Sequence, residues 1–321
     1  MHCNFRVPKA LFIFLLLPSL LIKAQHVPAS NASTYQPPVF KDASRIAKIK
    51  ALLPAIEKMY KDHARENRFP GMAFGIVVDD GLLYAGSAGY TNLAEKIPAG
   101  SASLFRIASM SKSFTAMAIL RLRDEGRLRL DDPAGLYIPA LNDIRLLTTD
   151  APSITIRDLL THSAGFPEDN PWGDRQLDIT HDVFVAMLQK GISFSNAPGV
   201  AYEYSNMGFA MLGEIIAKVS GKPYQEYITN TILKPLGMDH TIWEYTKAAA
   251  GLLAHGYRWH ENNWQEEALL HDGVYGAMGG LITSIEDFSK YMTFHLSAWP
   301  PRNDKETGPV KRSSVREMQQ A

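Results

Sequence analysis

The sequence predicts an α/β chain of the α+β kind: an antiparallel sheet flanked by helices and joined to a mostly helical block. Three observations carry this. Two short β-rich runs, Met72–Val78 and Leu82–Ala88, are separated by Asp79, Asp80 and Gly81, residue types that close a hairpin. After Leu104 the apolar residues recur at helical spacing in one segment after another. The composition, 46% hydrophobic and 21% charged, is that of a chain with a buried core rather than a disordered one.

Residues 1–24 read as a secretory signal peptide. Arg6 and Lys9 precede a 13-residue apolar run, Ala10–Ile22, and Ala24 offers a small residue at the cut. The run is short of the roughly 20 residues a membrane-spanning helix needs. A periplasmic or secreted protein is therefore expected, with no stable membrane anchor after cleavage. Cys3 is the only cysteine and lies within the leader, so the mature protein is expected to lack disulfides and to be held by its core. With 33 basic and 33 acidic side chains, the balance argues against a nucleic-acid partner. Residues 25–45 are rich in Pro, Ser and Asn and read as a linker, which leaves 46–321 as the domain.

Within the domain, Ile46–Glu66 has helical spacing interrupted by Pro54. The hairpin follows. A lone hairpin is marginal in water and needs partner strands; the candidates are His255–His260 and Gly279–Ile282. Ser109–Glu125 places Phe114, Met117, Ala118 and Leu120–Leu122 on one broad apolar stripe, ended by Gly126. Thr155 with Asp158, and Ser284 with Asp287, have the spacing of capping boxes that open helices. Asn206–Val219 is apolar and closed by Gly221, and Tyr224–Leu233 continues the helical block.

The chemistry centres on Ser109 and Lys112. A serine hydroxyl is a weak nucleophile until a neighbouring base takes its proton. With Ser109 in the first turn of a helix, Lys112 lies on the same face one turn along. The positive end of the helix and loss of water both disfavour an ammonium there, so the amine can serve as base. The plainer alternative is a serine N-cap followed by a solvated lysine. Tyr204, Ser205 and Asn206 open another apolar helix. The phenol could act as a second base and the amide could bond the lysine and a substrate, or Tyr204 could be a core tyrosine. Tyr90, Thr91 and Asn92 repeat the spelling at a strand end and read as a turn. His162, just before Gly165, reads as a helix C-terminal residue rather than as part of a Ser–His triad. No metal-ligand spacing, phosphate loop or G-x-S-x-G elbow occurs, so no metal and no cofactor is expected.

The blocks FRIASMSKSFTA, DDPAGLYIPAL, ITIRDLLTHSAGFP, YEYSNMGFAMLGEII, ILKPLGMDHT and GAMGGLITSIEDFSKYM, in that order, resemble the class C β-lactamase and penicillin-binding protein-like superfamily of serine hydrolases. The resemblance implies a β-lactamase/transpeptidase-like fold, with Ser109 as the nucleophile, Lys112 as its partner, Tyr204 as the general base and Asn206 as the contact to lysine and substrate. It implies a small-molecule or peptide substrate (an amide, lactam or ester) and an acyl-enzyme on Ser109. It leaves open which of these is cleaved and the oligomeric state. A non-catalytic binding relative is the alternative. The family carries a third motif, K-T-G or H-x-G, after the last block seen here. His271–Gly273 has the letters but precedes that block, so the expectation is a C-terminally incomplete member.

Overall fold

The computed structural model describes residues 36–79, 81–170 and 172–320. The leader reading and Cys3 lie outside the described residues. Helix α1 (Arg45–Glu66) is continuous across Pro54, where the sequence predicts an interruption. Pro54 is exposed, so the carbonyl it leaves without an N–H partner can be satisfied by water.

Strands β1 (Gly71–Val78) and β2 (Gly81–Asn92) form the expected antiparallel hairpin, with a register shift between Ile76 and Val77. β3 (Ile97–Pro98) extends the sheet beyond β2, so its order is β1-β2-β3. Tyr90, Thr91 and Asn92, which the sequence predicts to be a turn, are instead the last residues of β2 and pair with β3; the turn follows them, and Asn92 accepts the Glu95 N–H at 3.0 Å there. β1 alternates between two covered faces. Phe74 stacks under Tyr60 of α1 with 4.3 Å between rings, while Gly75 leaves room on the other face for Ile285.

β4 (Phe105–Arg106) leads through a 3-10 turn, Ala108–Met110, into α2 (Ser111–Asp124). Phe114, Met117, Ala118, Ile119 and Leu122 of α2 have no exposed surface, which makes α2 the central helix of the core. α3 (Ile156–Leu160) starts at Thr155, whose side chain accepts the Asp158 N–H while Asp158 returns the bond, the capping box the spacing predicts. α4 (His181–Gln189) follows. Then α5 (Asn206–Ser220) packs against α2, and Gly221 closes it at φ +74°, a conformation glycine adopts without strain. α6 (Tyr224–Ile228) passes into a wide π turn, Thr229–Leu233.

Neither candidate partner segment joins this hairpin, and Gly279–Ile282 is a strand only at Ile282, because Gly279 ends a helix. β5 (Tyr257–His260) pairs with β6 (Asn263–Glu266) in a hairpin of its own, closed by Glu261 and Asn262, both with positive φ. After α7 (Gly276–Gly279), β7 (Ile282–Thr283) pairs with β4 rather than with β1. Among the described residues the outer edge of β1 has no strand partner. The first hairpin is stabilised by its faces instead, between α1 and α8 (Ile285–Ser297), the latter capped by Ser284 as predicted. α9 (Arg312–Met318) returns to α2. No helix of the described residues is long and apolar enough to cross a membrane.

Candidate active site

Short tertiary contacts aim the 3-10 turn that carries Ser109. Ile107 N–H donates to Leu281 O at 2.9 Å, and the Leu281 N–H donates to the buried Ser111 hydroxyl at 3.1 Å. Thr115 donates to Ala277 O at 2.6 Å. The first turns of α2 are thus tied to the glycine-rich α7 segment. Ala108 sits at φ +47°, a strained angle for a residue with a Cβ, immediately before the serine. The Ser109 side chain is left exposed, and Met110 beside it is 51% exposed.

Lys112, only 7% exposed, reaches back along the helix. Its Nζ lies 3.1 Å from Ser109 Oγ, 2.7 Å from Asn206 Oδ1 and 3.0 Å from Met278 O. The amine also sits over the Tyr204 ring, 4.8 Å from its centre. Burial pulls its pKa from 10.5 down to about 8, against the opposing pull of Asp169 and Asp174. On the other side of the hydroxyl, Tyr204 Oη is 2.7 Å from Ser109 Oγ. Burial raises this phenol above its usual value, with the Ser109 bond working the other way. Of the two groups touching the serine, the lysine is the easier to deprotonate.

The four residues singled out from the sequence therefore meet in one cluster. Asn206 makes the lysine contact expected of it. It is fully buried, its Oδ1 is engaged by Lys112, and its Nδ2 donates to Asn170 Oδ1 at 2.6 Å. Its amide thus bridges the lysine on α2 and Asn170.

The sequence reading missed Asp169, whose two carboxylate oxygens accept the N–H groups of Asn206 and Met207, each at 2.8 Å. This caps α5 and fixes where Asn206 begins. No local pattern marks it, because the carboxylate lies 37 residues before the helix it caps. His162 lies at the C-terminus of α3, where the sequence places it, directly after the C-cap Thr161 and in the left-handed conformation that ends a helix. Its Nδ1 accepts the Ser205 N–H at 3.1 Å and its ring stacks on Tyr204. His271–Gly273 lies in a loop, not on a strand; His271 bonds Glu244 and Tyr245, and Asp272 bonds Tyr224 and Gln225. Among the described residues no cluster of three or more His, Cys, Asp or Glu side chains is placed to hold a metal ion.

A family model described as Beta-lactamase matches residues 56–320. The chain belongs to the beta-lactamase family. Members of this family are generally serine hydrolases, and the cluster lies within the matched residues. Among curated relatives, Protein flp of Staphylococcus aureus is 31% identical over 268 residues, covering 80% of this chain and 51% of that one. The family member described here thus spans about half the length of the curated relatives it matches. A solved structure titled as the octameric penicillin-binding protein homologue from Pyrococcus abyssi superimposes with a TM-score of 0.70 at 29% identity, covering 84% of this chain and 60% of the other. A class C beta lactamase from Rhodobacter sphaeroides shares the fold, with a TM-score of 0.64 at 23% identity over 80% of this chain and 68% of the other.

Proposed function

We propose that this chain is the nucleophile-bearing part of an exported serine hydrolase that forms an acyl-enzyme on Ser109 and cleaves an amide, lactam or ester. One observation carries the reading: an exposed serine hydroxyl lies between a phenol at 2.7 Å and a buried lysine amine at 3.1 Å. The uncharged Lys112 takes the Ser109 proton, with Tyr204 sharing the hydroxyl's hydrogen bond. The freed oxygen attacks the carbonyl carbon, and N–H groups at the head of α2 stabilise the negative charge that develops. As the tetrahedral species collapses, the leaving group departs with the proton from the lysine side. Water then adds to the acyl carbonyl and returns the proton, restoring Ser109. The charged and apolar N-terminal segment supports export to the periplasm or the medium; fractionation of expressing cells checks that separately.

The test is covalent labelling of the full chain with a fluorophosphonate probe and with a fluorescent penicillin. An adduct on Ser109 that disappears in Ser109→Ala is the expected result. If neither probe modifies Ser109 in folded protein, the hydrolase reading fails and a binding role takes its place.

A further inference from the structure

We infer that His162 is the positioning residue of this site: it holds Tyr204 in register with Ser109 through its ring, its Nδ1 lone pair and its own carbonyl. The inference rests on the hydrolase reading above.

Both neighbours of Tyr204 end on this one residue. The Glu203 N–H donates to His162 O at 2.8 Å, and the Ser205 N–H donates to His162 Nδ1 at 3.1 Å. Pinning the residues before and after Tyr204 fixes the direction of its Cα–Cβ bond. The imidazole then lies against the phenol ring, centres 4.6 Å apart and planes within 29°, which sets the side-chain torsion. His162 reaches this position because its backbone is left-handed, at φ +56°. That conformation is uncommon for a residue with a side chain, and here it turns carbonyl and ring toward the same segment.

The bond to Ser205 also decides the protonation state. A backbone N–H only donates, so Nδ1 carries no proton and the ring hydrogen is on Nε2. The surroundings agree. Burial and the positive Lys112 on α2 lower the histidine's pKa from 6.5 to about 4, against the opposing charge of Asp169. The other titratable neighbours are Tyr204 itself and Tyr202, whose ring meets the imidazole edge-on at 5.6 Å. His162 is thus a fixed acceptor. It cannot serve as the base of a triad, because the lone pair such a base needs is already engaged.

Three variants of the full chain separate positioning from simple packing. His162→Asn keeps an acceptor near the Nδ1 site and tolerates the left-handed backbone. His162→Phe keeps a ring and removes the acceptor, and His162→Ala removes both. The readout is the rate of Ser109 labelling by a fluorophosphonate from pH 6 to 9, with thermal melts as the folding check. His162→Ala and His162→Phe are expected to label about 100-fold more slowly, as a misplaced phenol should, and His162→Asn to recover to within about tenfold. In His162→Ala, water reaching the amine is expected to move the rise near pH 8 to higher pH.

Folded variants that label at the wild-type rate with an unmoved profile overturn the inference. So does an equal loss in all three with the profile unmoved, which marks a packing residue. A nitrogen-15 spectrum of histidine-labelled protein supplies a readout independent of activity. The Nε2–H form of His162, not titrating above about pH 5, is expected; the opposite tautomer overturns the inference even in folded protein that labels normally. Absence of any Ser109 labelling alongside the expected tautomer sinks only the hydrolase reading.

Discussion

Lys112 Nζ and Met278 O lie 3.0 Å apart, a contact that ties the amine to a turn 166 residues further along the chain. An ammonium has three N–H groups, and three acceptors meet it here: Ser109 Oγ, Asn206 Oδ1 and Met278 O. A neutral amine keeps two N–H groups and gains one lone pair. With the carbonyl and the amide unable to donate, the lone pair is left facing the hydroxyl. The buried acceptors therefore orient the base as well as hold it.

The rate of Ser109 acylation should follow the neutral amine. Its pKa is lowered to about 8, so the rate is expected to rise about tenfold per pH unit up to that point and then level off. Stopped labelling reactions between pH 6 and 9 measure this. A rate independent of pH across that range would remove Lys112 as the base. Lys112→Met should lower the plateau by a factor of about 100 to 10,000.

Asp169→Asn should move two quantities independently. The amide cannot accept from both Asn206 and Met207, so the cap of α5 weakens, at a cost of about 1–2 kcal/mol seen in denaturant melts. Asp169 also holds the Lys112 pKa up. Losing that charge should shift the rise in labelling rate to lower pH. A destabilised variant with an unshifted profile would limit Asp169 to a capping role.

Acid should weaken the fold through His295. Its Nε2 is buried without a hydrogen-bond partner among the described residues, and burial lowers its pKa from 6.5 to about 4. Above pH 6.5 the ring is neutral both folded and unfolded, and its contribution is fully present. Between pH 6.5 and 4 the unfolded chain takes the proton first, so stability falls as pH falls, by up to about 3 kcal/mol before solvent screening. His162 adds a loss of the same sign, from the same direction of shift. Urea melts of His295→Phe at pH 7 and pH 5 should therefore differ less than those of the unmodified chain. An unchanged difference would assign the acid sensitivity elsewhere.

The parts of this site that were legible in the sequence are local ones. Ser109 and Lys112 are three apart, although Ser109 lies in the 3-10 turn before α2 and not in the first turn of the helix as the sequence predicts, and Tyr204 and Asn206 straddle the N-cap of α5. The spacing of three brings the first pair together across one turn, and the second pair is legible because both residues sit beside the N-cap, where a side chain can point out of the helix end. The capping pairs Thr155–Asp158 and Ser284–Asp287 were legible for the same reason. What stayed hidden depends on tertiary approach. Asp169 and Asn170 reach α5 from a loop, and Met278 contributes only a carbonyl, which every residue has. The pairing of β5 stayed hidden because its period reveals extended backbone but not which edge it joins, and the two-residue β7 is too short to show a period. The burial of Asn206 follows from the loop that covers it and has no signature in its own segment.

Gly173→Ala tests whether that loop matters to the chemistry. Gly173 is buried against Asn206, and a Cβ added there would stand 2.8 Å from Asn206 Cβ and 2.9 Å from Nδ2, closer than real side chains pack. Neither group has a free direction, since Asn206 is bonded to Lys112 at one end and Asn170 at the other. The strain should displace the amide, cost about 1–3 kcal/mol as overpacking does, and slow Ser109 labelling by more than that loss alone would predict. Gly100→Ala is the matched control: among the described residues a Cβ there meets nothing within 4 Å, so stability should change by less than about 0.5 kcal/mol. If Gly173→Ala instead labels at the wild-type rate while folded, the amide's position is not what sets the lysine, and the Lys112 acceptor geometry loses its place in the mechanism.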